Sequence, residues 1–222
     1  MGISLPATTT PWCALTCASR TLAISVWAAL AAAPAAAQQA DEVYARAVAH
    51  FEAGRVGESA DEFDRLVRIR PGIAAELWQR GIALYYAGRY DDCRKQFELH
   101  RTVNPNDVEN AAWHFLCVAR AESPASAAKA LLPVGPDARV PMRQVYELFR
   151  GRMTPEDVLQ AAGAQPSAQF YAHLYLGLFA EARGDARRAL DHIRTAADGR
   201  YAASGGYMHM VARVHLALLR PR

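Results

Sequence analysis

The sequence predicts an all-α protein built of antiparallel helix pairs stacked into a solenoid, and three observations carry that reading. Residues 41–71 lie over 75–105 position against position: Gly54 falls on Gly88, Arg55 on Arg89, Phe63 on Phe97 and Pro71 on Pro105, each pair 34 apart. A fixed period in the range of about 20 to 50 residues marks a repeat architecture and outranks any local signal. Apolar residues recur at helical spacing around glycine-containing turns, and no alternating run of useful length asks for a strand.

The elements follow in chain order. Residues 1–37 carry one charge, Arg20, followed by an apolar run over 21–33, then Pro34 and the small residues Ala35, Ala36 and Ala37. This is the pattern of a cleaved signal peptide, with export to a periplasmic or secreted location as its consequence. The other reading is an uncleaved N-terminal membrane anchor, but the run is shorter than the roughly 20 apolar residues a span needs and it contains a proline. Cys13 and Cys17 precede the run, so no lipoprotein signal is expected.

The remainder, 38–222, reads as one helical repeat domain. Its units lie near 41–71 and 75–105, then an irregular stretch over 107–162, a further unit over 170–197 and a C-terminal capping helix over 204–220. In the second unit Leu77, Trp78, Gly81, Leu84 and Tyr85 keep helical spacing, Gly88 ends the first helix, and Tyr90, Cys93 and Phe97 form the second before Asn104-Pro105. The irregular stretch still holds helical hairpins, but 133–137 is a proline- and glycine-bearing loop. A deformed unit of this kind is where function tends to concentrate in a stack.

Trp78, Gly81, Leu84 with Tyr85, Cys93, Phe97 and Pro105 together resemble the tetratricopeptide repeat (TPR) family. The first unit matches less fully, through Ala47, Phe51, Gly54, Phe63 and Pro71. The resemblance implies a right-handed α-solenoid that binds a protein or peptide on its concave face and does no chemistry. Exported proteins of this repeat class resemble envelope adaptors, an extension resting on fold and compartment alone.

Composition narrows the alternatives. Hydrophobic residues are 52% and charged residues 21%, which suits a packed core rather than disorder. A net charge of +3 is too even for a dedicated nucleic-acid binder, so no nucleic-acid partner is expected.

The strongest candidate surface is the aromatic stripe of the first helices: Tyr44 and Phe51, then Trp78, Ile82 and Tyr85, then Trp113, then Tyr171. As a groove it would seat an amphipathic helix or an extended apolar segment; the other reading of each position is packing between repeats. A second functional class is a carrier of an apolar small molecule or lipid, with an enclosed pocket at Trp78, Tyr85 and Trp113 and 133–141 as its lid. A third is an enzyme using His114 and Cys117, three residues apart on one helix, which burial of Cys117 would end.

Cys93 and Cys117 sit on helices that neighbour one another in such a stack. A disulfide is feasible within about 7 Å between Cα atoms, and two small buried thiols are the reading the repeat positions favour. Histidines and methionines, including Met208-His209-Met210, read as surface and core side chains, so no metal or other cofactor is expected. Met208, Val211, Val214, Leu216 and Leu218 surround much of the last helix and offer it as a homodimer contact.

Overall fold

The computed structural model describes residues 21–219, with side chains from residue 37 onward. The expected leader therefore has its side chains, up to Ala36, outside the described residues, and Cys13 and Cys17 lie outside them as well. All regular structure among the described residues is helical, and none of these helices is long and apolar enough to cross a membrane. The chain divides between Gln39 and Ala40, and the unit from Ala40 onward is the one built up below.

Helices come in hairpins. α1 (Thr21–Glu52) is followed by α2 (Val56–Ile69), α3 (Trp78–Tyr86) by α4 (Tyr90–His100), α5 (Val108–Ala121) by the short α6 (Pro124–Lys129), α7 (Met142–Phe149) by α8 (Pro155–Ala162), and α9 (Pro166–Ala182) by α10 (Ala186–Ala196). A 3₁₀ turn, Pro71–Glu76, leads into α3, and another, Gly199–Tyr201, leads into α11 (Ala202–Leu219). Four of the first helices end on one hydrogen-bonded cap. Gly54 N–H donates to the Phe51 carbonyl and Arg55 N–H to His50, and the same pair recurs at Gly88–Arg89, Gly151–Arg152 and Gly184–Asp185. These glycines have φ near +75°, the left-handed conformation such a cap requires.

Small residues set how closely the hairpins close. A Cβ on Gly81 would stand 2.7 Å from the Phe97 ring and one on Gly177 2.7 Å from the Ile193 side chain, so both helix pairs pack backbone against side chain. The core between them is large and aromatic, with Phe51, Phe63, Phe97, Trp113, Phe115, Phe170 and Tyr175 essentially inaccessible. Cys93 of α4 and Cys117 of α5 are joined as a disulfide with Cα atoms 5.9 Å apart, so the bridged alternative is the one adopted. Neighbouring antiparallel helices carry these two side chains toward each other at full burial.

The C-terminal helix packs on the last hairpin and is broken near its start. α11 breaks at Gly206, whose φ of 51° and ψ of −126° suit glycine and strain any other residue. Next to it, Gly205 comes so close to Phe170 that a Cβ would stand 2.7 Å from the ring. The break sends α11 back into its own chain. Tyr207 stacks on Phe51 of α1 at 6.1 Å and meets Trp78 of α3 edge-on at 5.0 Å, and Tyr86 and His215 share a 2.8 Å hydrogen bond. Met208, Val211 and Val214, expected to offer a dimer contact, are instead buried in this core, and Leu218 is exposed. α11 as a whole packs against α9 and α10, and Met208, Val211 and Val214 belong to the common core.

Candidate functional site

Where α11 passes α3 and the start of α5, side chains fail to fill the space and leave a cavity of about 340 Å³. That is near the lower end of the range for small-ligand sites and equals the liquid volume of about ten waters. Trp78 of α3, Phe97 of α4, Trp113 of α5, Tyr171 of α9 and Tyr207 of α11 supply aromatic walls. The polar part comes from His100, from Asp107, Glu109 and Asn110 at the head of α5, and from Arg139 in the loop before α7.

Four residues of this lining each carry a buried polar atom with no hydrogen-bond partner among the described residues: His100 Nε2, Asn110 Oδ1, Trp113 Nε1 and the Tyr207 hydroxyl. Orphans are costly, on the order of 1–3 kcal/mol each, so four around one cavity point to a missing complement. Their chemistry is readable. His100 Nδ1 lies 2.8 Å from the Ala75 carbonyl, which only accepts, so Nδ1 carries a hydrogen, and the tautomer with its single hydrogen there presents Nε2 as an acceptor. The Asn110 oxygen is a second acceptor, the Trp113 indole a donor, and the Tyr207 hydroxyl either.

Beside the orphans lies a charge cluster. Arg139 contacts Asp107 and Glu109 at 2.5 Å and Asp137 at 2.6 Å, its Nε also donating to Asp137 at 3.0 Å. Local backbone chemistry sets the carboxylates in place. Asp107 caps α5 by accepting from Glu109 N–H, and Asp137 accepts from Val108 N–H at 3.2 Å. The loop that delivers Arg139 is tethered rather than loose, with Gly135 N–H donating to the Pro105 carbonyl, Arg101 to the Pro133 carbonyl and Tyr146 to the Leu132 carbonyl.

Glu109 is strongly perturbed. Burial and then the Asp107 carboxylate push its pKa up to about 7, against the opposing pull of Arg139 and of the Tyr175 hydroxyl, which donates to it at 2.6 Å. Burial acts on Asp137 in the same direction, but its bonds from Arg139 and from backbone amides hold it below the usual carboxylate range. Tyr171 is pushed up to about 12, first by burial and then by Glu109, so it stands protonated at neutral pH.

The predicted stripe is divided by this arrangement. Trp78, Trp113 and Tyr171 line the cavity, whereas Phe51, Ile82 and Tyr85 do not. Phe51, Ile82, Tyr85 and Trp113 are at most 5% exposed, and Tyr44, Trp78 and Tyr171 are half-buried. These seven side chains therefore form no open partner-binding groove in this conformation, because Tyr207 and the rest of α11 occupy that side of α1 and α3. Tyr85 packs among Tyr86, Tyr90 and Trp113 instead. Cys117 is fully buried and disulfide-bonded, so it offers no nucleophile to His114, whose Nε2 faces Glu98 at 3.4 Å.

His100, Glu109, Asn110, Arg139 and Tyr207 are members of the site that the repeat pattern did not single out. The available signal was the deformed unit: acids at 107 and 109 opening a helix, and one arginine isolated in a proline-bounded loop 30 residues later. A wider cleft of about 500 Å³ beside α8, α9 and α10 holds His192, paired with His173 at 3.0 Å, but none of the unpartnered buried atoms among the described residues lines it. No group of three or more metal-ligating side chains occurs among the described residues. The chain matches no protein-family model, and a search of curated proteins returns no match either.

Proposed function

We propose that this chain is an exported helical-repeat protein, of the tetratricopeptide type, that binds a small molecule in the cavity between α3, α5, α9 and α11 and performs no chemistry on it. The observation that carries this is the convergence of four unpartnered buried polar atoms on one cavity with aromatic walls. The α-solenoid and the export signal rest on the 34-residue period and the leader pattern. This reading belongs to the carrier class rather than the adaptor class, since the aromatic stripe is largely spent on the chain's own packing.

Native mass spectrometry of the protein isolated from its own cells tests the proposal. The expected result is one retained small molecule, lost in an Asn110→Leu variant that melts no lower than the parent, because the substitution removes a buried acceptor with no partner. A parent free of small molecules but holding a protein partner would overturn the carrier reading in favour of an adaptor.

A further inference from the structure

The same cavity constrains the charge of what it holds, and this step rests on the reading just given. Its polar end is short of positive charge. Asp107, Glu109 and Asp137 share one cation, Arg139, and among the described residues no other Lys or Arg lines the cavity. Four of the five Arg139 N–H groups already donate to carboxylates, so an anion would find at most one free N–H there and the like charges of Asp107 and Glu109 beside it. The walls favour the opposite sign. Trp78, Trp113, Tyr171 and Tyr207 line the space, and Arg139 already lies over the Tyr171 ring at 6.0 Å. Carboxylates behind aromatic faces form a cation-selective lining. Two of the orphans, His100 Nε2 and Asn110 Oδ1, are acceptors that require N–H or O–H donors from the occupant.

We propose that the cavity binds an organic cation: a primary ammonium group, directed at His100, Asn110 and the Asp107–Glu109 carboxylates, on a flat apolar body held among Trp78, Trp113 and Tyr207. The ammonium brings three N–H donors to a lining with two unfilled acceptors and reduces its excess of negative charge. The flat body fits between the aromatic walls, leaving the Trp113 indole N–H for an acceptor on that body or for a bound water.

Titration calorimetry with three probes of one skeleton separates charge from shape: 2-phenylethylammonium, neutral 2-phenylethanol and anionic phenylacetate, each against the full chain at pH 7.5. The cation is expected to bind at least about tenfold tighter than the alcohol, with no measurable binding of the anion. Glu109→Gln, a near-isosteric change, is expected to weaken the cation by about tenfold and leave the alcohol unchanged. Equal or tighter binding of the alcohol or the anion would overturn the cation assignment while leaving a small-molecule site in place. Failure of all three probes to bind would overturn the cavity reading itself.

Discussion

In the regular stretch of the chain Asp64 is shared by two arginines, Arg80 at 2.7 Å and Arg89 at 2.8 Å, and Arg89 also reaches Asp92 at 2.8 Å. Around the irregular stretch the proportions are reversed, with Arg139 shared by Asp107, Glu109 and Asp137. The first network, which Asp61 joins through Arg89 at 3.8 Å, sets two arginines against three aspartates and ties one hairpin to the next. The second is left with excess negative charge, and the unpartnered atoms of the cavity adjoin it. The segment that departs from the repeat thus places unspent charge beside residues with unused hydrogen-bonding capacity, and a binding site needs both.

The largest way to disturb this contrast is to cut the staple between its two halves. Cys93 and Cys117, 24 residues apart, link α4 of the regular stretch to α5. Replacing both by Ala is expected to lower the unfolding free energy by about 3 kcal/mol through restored freedom of the unfolded chain. Denaturant titration measures this, and a loss below about 1 kcal/mol would show that packing alone holds the two helices together.

Glu109 provides the next effect, and its sign follows from its raised pKa of about 7. A carboxyl raised on folding from its ordinary value near 4.5 contributes stability that is complete below pH 4.5 and lost as pH rises through 7. The shift corresponds to on the order of 3 kcal/mol. His173 and His215, both lowered to about 4 chiefly by burial, act oppositely and favour the fold as pH rises from 4 to 6.5. The useful quantity is therefore the difference between the parent and Glu109→Gln. The variant is expected to gain relative stability steadily from pH 4.5 to 7.5, and a flat difference would place an ordinary carboxylate at this position.

Removing the shared cation compares the two networks directly. Arg139→Met strands three carboxylates, two of them little exposed, and is expected to cost about 2 kcal/mol at pH 8. Asp64→Asn leaves Arg80 bonded to Gln96 and Arg89 to Asp92, and is expected to cost about 1 kcal/mol or less. Equal losses in thermal melts would deny the asymmetry. The smallest effect concerns backbone: Gly206→Ala, at φ 51° and ψ −126°, is expected to cost about 1 kcal/mol more than Gly88→Ala, whose left-handed turn tolerates a side chain at lower strain. The same change should loosen Tyr207 from Phe51 and Trp78, which near-ultraviolet circular dichroism would register.

What was legible in the sequence is what repeats or acts locally. Gly54, Gly88 and Gly184 announce their turns because a helix ending in this cap needs a residue at positive φ, and that requirement involves only neighbours. The approach of Cys93 to Cys117 followed from antiparallel pairing of adjacent helices. α11 was harder. Its apolar residues surround the helix, and a pattern without a polar face does not say whether the covering surface is the same chain or another copy; the break at Gly206 decides it. The cavity was the least legible because its parts come from positions 78, 100, 107–113, 139, 171 and 205–208. Each polar member has an innocent local reading, Asp107 as a helix cap and Arg139 as a solvated loop residue, and only the tertiary fold brings Arg139 onto the head of α5.

The most direct measurement is the indole N–H resonance of Trp113 in the ¹⁵N-labelled full chain, assigned by its loss in Trp113→Phe and followed as 2-phenylethylammonium is added. The indole lines the cavity and has no partner among the protein's own groups. A saturable shift of that resonance, absent with phenylacetate, is the predicted result. An unmoved Trp113 resonance at ligand concentrations that saturate the protein by calorimetry would place binding elsewhere and contradict the assignment of this cavity.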